Sequence, residues 1–230
     1  MKRFQSSASV SVRGLLRQSA LAAALIAAVP VLAHAQSAAP AAAAPAAQGQ
    51  PSQLVLANST RIVATLEKRR AEFKKDRPAL DAFIAKEFNA MFDRDYAARL
   101  VLGRHGRGAP DADVKLFADA LADSLMSRYG SALLSFDTGL KVRVKSETSL
   151  RGGAIVKVSS EFLLAGGQAT PVDYLMRKSG ANWKVFDVMV EGVSFVQTFR
   201  TQFDQPLATK GIRQVAADLR AGRMQAAASQ

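Results

Sequence analysis

"LKVRVKSETSLRGGAIVKVSSEFLL", Leu140 to Leu164, is where the periodicity of this chain changes. Leu140, Val142 and Val144 alternate with Lys141, Arg143 and Lys145. Val156, Val158, Ser160, Phe162 and Leu164 alternate with Lys157, Ser159 and Glu161. A period of two sends alternate side chains to opposite faces, so each run predicts a strand with one apolar and one polar face. Gly152-Gly153 predicts a tight turn between them. After Gly166-Gly167, Val172, Tyr174 and Met176 alternate with Asp173 and Arg177; after Ser179-Gly180 comes "NWKVFDVMVEG" (Asn182–Gly192). Four runs joined by glycine turns predict an antiparallel meander. The fourth run is apolar on both sides. Phe186, Val188 and Val190 share one; Trp183, Val185, Asp187 and Met189 share the other. The first is expected to face inward, because a buried carboxylate must find a partner. The other is expected to be covered, for instance by a helix.

Upstream of the meander the period is helical. "NSTRIVATLEKRRAEFKKD" offers Asn58 or Ser59 as a cap and places Ile62, Leu66 and Phe73 on one face. "DRPALDAFIAKEFNAMF" follows, with Asp76 as cap and Pro78 in the first turn. "DRDYAARLVLG" is a short helix that stops at Gly103. "DADVKLFADALADSLMSRYGSALLSF" is the longest, with a stripe of Val114, Phe117, Leu121, Leu125, Tyr129 and Leu133. Downstream, Ser194 is expected to cap a helix carrying Val196, Phe199 and Phe203 and ended by Pro206. A last short helix holds Ile212, Val215 and Leu219. Helices, then a sheet, then helices make an α+β class: a curled four-stranded antiparallel sheet with helices packed on one face.

The chain of 230 residues opens with Lys2, Arg3, Arg13 and Arg17, the apolar run Leu21–Ala33, and a small-x-small site at Ala33-His34-Ala35. This predicts a signal peptide over 1–35, cleaved before Gln36, and hence export. The apolar run is shorter than the roughly 20 residues a spanning helix needs. Residues 36–53, rich in Ala, Pro and Gln, are expected to be a disordered linker. One α+β domain is expected over 54–222, with a tail at 223–230. Cysteine is absent, so neither disulfides nor thiol chemistry can serve. The formal charge is +12. Without the four basic residues of the first 35 it is 27 basic against 19 acidic, a net +8. An exported basic monomer is expected to meet anionic lipid or acidic protein, not nucleic acid.

Catalytic constellations are sparse. His34 lies in the expected signal peptide and His105 in the glycine-rich stretch "LGRHGRG", so a zinc site has too few ligands and no metal or cofactor is expected. No nucleophile elbow or phosphate loop is present. Asp187 and Glu191 are the one candidate acid–base pair. On a strand they share a face but stand about 13 Å apart at about 3.3 Å per residue, beyond the spacing of paired glycosidase carboxylates. Structural roles are open to both. Glu191 can meet free N–H groups of the helix that follows, and Asp187 can pair with a basic residue on a neighbouring strand. A domain that binds a small apolar ligand, or an isomerase of one with Asp187 as base and Tyr174 or Tyr129 holding the oxyanion, is the alternative.

Asp187, Val188, Val190, Glu191, Gly192, Val193 and Ser194, followed by Phe199, Arg200, Gln202 and Phe203, resemble the MlaC (toluene-tolerance auxiliary) family of periplasmic phospholipid-binding proteins. "RLVLGRHGR" (Arg99–Arg107) resembles the family's Val-Leu-Gly segment, though Gly106 stands where members carry a tryptophan. Lys115, Phe117, Leu125 and Tyr129 fit its helix pattern. The resemblance implies an NTF2-like cone with added helices and no enzymatic activity. It implies a phospholipid carrier serving outer-membrane lipid asymmetry, with an inner-membrane ABC transporter bearing an MCE-domain protein and an outer-membrane lipoprotein–porin complex as partners. Acyl chains are then expected between the apolar sheet face and the long and C-terminal helices. The expected contacts are Phe117, Leu121, Leu125, Tyr129, Val142, Val144, Val156, Val158, Phe162, Tyr174, Met176, Val188, Val190, Val193, Val196 and Phe199. A filled core would use the same residues.

Overall fold

Alternation carries through into a meander of β1 (Lys141–Leu150), β2 (Ile155–Leu163), β3 (Ala169–Ser179) and β4 (Asn182–Val190), closed by the two-residue β5 (Val193–Ser194). The sheet order is β1-β2-β3-β4-β5, antiparallel throughout. The computed structural model describes residues 50–134, 139–163 and 169–227, all inside one compact unit, Ala43–Gln230. The expected signal peptide, most of the expected linker and the Gly166-Gly167 turn lie outside the described residues.

Two bulges set which residues share a face. Between β1 and β2 the register shifts from Val144↔Ser160 to Ser146↔Ser159, leaving Lys145 unpaired. Beyond it Glu147 stands opposite Val158 and Ser149 opposite Val156, so a carboxylate joins the apolar face. Between β3 and β4 the register shifts from Leu175↔Asp187 to Met176↔Val185, leaving Phe186 as the extra residue. Parity flips there. Trp183, Val185, Val188 and Val190 all pack with Val156, Val158, Val172, Tyr174 and Met176. The expected division of β4 is therefore right for Val188 and Val190 and reversed for Phe186, Val185 and Trp183. Phe186 instead meets Tyr96 edge-on, ring centroids 5.2 Å apart.

Among the described residues six α-helices accompany the sheet: α1 (Gln50–Lys68), α2 (Arg70–Lys75), α3 (Arg77–Met91), α4 (Arg94–Leu102), α5 (Asp111–Tyr129) and α6 (Phe195–Arg220). Helix α1 is already formed at Gln50, the first described residue, ahead of the expected Asn58 or Ser59 cap. Its first described turn sits on β1, where Glu147 accepts from the Ser52 N–H (3.0 Å) and Oγ–H (2.6 Å). Asp76 caps α3 through the Ala79 N–H and Asp93 caps α4 through the Tyr96 N–H. Proline 206 does not end α6. Phe203 and Leu207 on either side of it are buried in one cluster, and that packing carries the helix past the ring. The break comes at Gly211, with φ 73° and ψ 170°, a region open almost only to glycine.

Among the described residues the apolar side chains gather into three clusters. One joins α4, α5 and α6 around Val101, Phe117, Leu121, Phe199, Phe203 and Val215. The second is the inner sheet face with Val55 of α1 laid over it. The third joins Leu66, Phe73 and Leu80 of α1–α3 with Leu133 and Leu134 from the 3₁₀ turn after α5. Ala226, in the expected tail, is 0% exposed in the first cluster, its N–H donated to Ser124 Oγ at 3.2 Å. No described helix is long and apolar enough to cross a membrane.

Candidate functional site

The seam between the second and third clusters is open. Ile62, Val63 and Leu66 of α1, Met91 at the end of α3, Leu133, Leu140, Phe162 of β2 and Tyr174 of β3 enclose a cavity of about 130 Å³, with Ser59, Glu67 and Arg70 on its wall. The sequence places it there for two reasons. Helix α1 turns Ile62, Val63 and Leu66 toward the sheet by its 3–4 spacing. Strand parity turns Phe162 and Tyr174 toward α1. Tyr174 is buried, its phenol hydrogen-bonded to Ser59, and burial holds its pKa above the usual tyrosine range. The phenol therefore stays neutral and adds little polarity to the wall.

Polar groups at the wall are held by backbone. Glu67 Oε1 accepts from the Gly139 N–H at 2.6 Å. Arg70 Nη1 donates to the Leu134 carbonyl at 2.5 Å. Both contacts tie the α1–α2 junction to the segment that follows α5. The remaining lining is aliphatic or aromatic, so the cavity suits hydrocarbon. A cavity of about 150 Å³ holds a benzene-sized molecule, so an acyl chain enters only if the two clusters part.

Of the residues expected to touch acyl chains, Phe162 and Tyr174 line this cleft. Val144, Val156, Val158, Met176, Val188 and Val190 belong to the same inner-face cluster beneath α1, and Val142 pairs with Phe162 on that face. Phe117, Leu121, Leu125, Val196 and Phe199 are elsewhere, in the α4–α5–α6 cluster. The long and C-terminal helices do not cover the inner face; α1 does. The sequence pattern could not choose between them, because both helices offer an apolar stripe. Val193 is 47% exposed, and Tyr129 lies against Arg128, which donates to its hydroxyl at 3.2 Å. Ile62, Val63, Leu66, Met91, Leu133 and Leu140 were not expected at a site. The Ile62–Leu66 stripe was the available signal.

Asp187 sits on the reverse side of the sheet, 6% exposed. It accepts from Ser194 Oγ (2.6 Å) and from the Val196 N–H (3.0 Å), while Ser194 Oγ accepts from the Gln197 N–H (3.0 Å). Asp187, not Glu191, thus holds the first turn of α6, and its cross-strand neighbour is Leu175 rather than a basic residue. Glu191 is exposed in the turn into β5 with φ 51°. Engaged on both oxygens and facing away from the cleft, Asp187 is not placed to act as a base on a molecule inside it.

The basic outer sheet face is largely matched by acids. Arg143 and Lys145 pair with Glu161, whose carboxyl the Arg143 guanidinium holds below its usual range; Lys157 pairs with Asp173. Arg177 pairs with Asp93 and stacks on Tyr96 at 4.0 Å. His105 bonds Asp204 at 3.0 Å, pinning the glycine-rich stretch to α6. Gly106 there is closely packed: a Cβ would lie 2.9 Å from Leu102 Cβ, so a side chain at this position requires a local shift. Among the described residues no three potential metal ligands come together.

Comparison with known proteins places the chain. A family model described as MlaC protein matches residues 57–221. The toluene tolerance protein ttg2D of Pseudomonas putida is 25% identical over 164 residues, covering 70% of this chain and 74% of that protein. A phospholipid-binding protein from Ralstonia solanacearum, solved in complex with a phospholipid, superposes with a TM-score of 0.66 at 19% identity, over 74% of this chain and 97% of that one.

Proposed function

The chain belongs to the MlaC family of phospholipid-binding proteins, and from that membership and the apolar cleft we propose that it is a non-enzymatic phospholipid carrier of the periplasm. One observation carries the reading: an apolar cavity between α1 and the inner sheet face, at the seam of two clusters that do not merge. The Ralstonia solanacearum relative, solved with a phospholipid, supports the same ligand class.

The physics asks for such a site. Two acyl chains hold about 30 CH₂ groups at about 0.8 kcal/mol each, so about 24 kcal/mol opposes their passage through water. An apolar cleft removes most of that cost. The chains enter as α1, α2 and α3 move off the sheet, widening the seam, while the Ser52–Glu147 contact holds the start of α1. Met91, Leu133, Phe162 and Tyr174 then line the chains. The headgroup stays at the mouth beside Glu67 and Arg70. No bond is made or broken, so transfer is nearly balanced and its direction is set by the partners. Those partners are an inner-membrane ABC transporter bearing an MCE-domain protein and an outer-membrane lipoprotein–porin complex. Residues 1–35 direct export, and the Ala/Pro/Gln-rich stretch before α1 is a tether.

Native mass spectrometry of the mature protein purified without detergent, with solvent extraction of bound lipid, tests this. One phospholipid per chain is the expected result. A bare mass that persists after incubation with vesicles refutes it.

A further inference from the structure

The cations of the outer sheet face are largely matched by acids, whereas three lysines near the α1–α2 junction are not. Lys68, Lys74 and Lys75 are exposed and make no ion pair among the described residues. They flank the α1–α2 junction, where Glu67 and Arg70 reach the cleft wall. Lys68 follows Glu67 directly. Lys74 stands four residues beyond Arg70 and so shares its side of α2. The nearby acids are already engaged: Glu67 by the Gly139 N–H, and Glu72 by Arg69 at 2.5 Å. Over 67–77 the chain carries six basic and three acidic residues. The stretch that brings Glu67 and Arg70 to the wall of an otherwise apolar cleft therefore carries a net positive charge, a basic collar on that side.

We infer that this collar makes the cleft selective among lipids, favouring a headgroup of net negative charge over a zwitterionic one. The inference rests on the reading of the cleft as an acyl-chain site. Both headgroup classes bring a phosphate diester to Arg70. A zwitterionic headgroup also brings an ammonium into the same positive field, which offsets the gain; an uncharged glycerol headgroup does not. The lysines lie in a water-like dielectric and act within the Debye length, about 8–10 Å at ordinary salt. The selectivity is accordingly modest, about three- to tenfold, and salt-sensitive.

The test loads delipidated mature protein from vesicles of equal phosphatidylglycerol and phosphatidylcholine with identical chains, then quantifies bound lipid by mass spectrometry. Mixed vesicles make any attraction of the protein to the bilayer common to both lipids. At low salt, about 20 mM, phosphatidylglycerol is expected in about three- to tenfold excess; at about 500 mM the excess is expected to vanish. The triple variant K68Q/K74Q/K75Q, confined to exposed side chains, is expected to load the two equally at low salt. Equal loading by the unmodified protein overturns the selectivity while leaving the cleft reading intact. An excess that survives in the triple variant overturns the collar as its source. No bound lipid at all overturns the acyl-chain reading itself.

Discussion

Replacing Asp187 separates its structural role from a catalytic one. The carboxylate is buried and accepts two hydrogen bonds, from Ser194 Oγ and the Val196 N–H. Hydrogen bonds to a charged acceptor are worth about 1.5–3 kcal/mol each, so Asp187→Ala is expected to cost about 3–6 kcal/mol. Asp187→Asn keeps one acceptor oxygen. It loses the second bond and the charge facing the helix N-terminus, and about 2–3 kcal/mol is expected. Urea unfolding followed by circular dichroism measures both, as midpoint shifts at unchanged slope. Lipid per folded molecule, measured on the same samples, is expected to stay constant, because Asp187 lies on the side of the sheet away from the cleft. A loss below about 1 kcal/mol for Asp187→Ala would refute the cap. Lost lipid with full stability in Asp187→Asn would refute its placement outside the site.

Three further outcomes follow from the geometry. Val63→Trp puts an indole into a cleft of about 130 Å³ and is expected to lower lipid occupancy severalfold in a protein that still folds; unchanged occupancy by native mass spectrometry would move the chains elsewhere. Asp218, held by Lys210, Arg223 and Gln214, has its carboxyl well below the usual range. A lowered folded-state pKa contributes stability that is present above the unfolded value near 4 and is lost as pH falls below it. Asp218→Asn should thus narrow the stability gap between pH 7 and pH 3, and an unchanged gap in thermal unfolding would contradict the role. Gly211→Ala forces a side chain onto φ 73°, ψ 170° and is expected to cost about 1–3 kcal/mol by denaturant titration; a neutral result would mean that the break in α6 can relax.

Period-two alternation marked β1, β2 and β3, an apolar run after the Ser179-Gly180 turn marked β4, and Ser194 was legible as a cap. Two kinds of information were not. A bulge adds one residue without changing composition, so the parity of Val142–Val144 could not be carried to Glu147, nor that of Val188–Val190 back to Val185. Tertiary partners overrode local signals. The helix over 50–57, ahead of any cap signal, is tied through Ser52 to Glu147, nearly a hundred residues away, and α6 passes Pro206 because its flanks are buried. The cleft suffered most. Phe162 and Tyr174 were identified because strand parity marks one face. Phe117 and Phe199 were grouped with them because a stripe does not say which sheet, or which helix, it will meet.

The extra residue at Phe186 has a consequence for how this chain can change. Along β4 the side chains answer to two interiors, the cleft on one side and the α4–α6 helices on the other. A substitution at Phe186 edits one contact. A deletion of that single residue leaves Val185 opposite Met176 and Asp187 opposite Leu175 in unbroken alternation, so each half of the strand keeps its interior. What is lost is the bulge, with its local twist and the contact of Phe186 with Tyr96. In an alignment of relatives, a single gap at 186 therefore marks a strand without the bulge, not a sheet wired differently to its helices.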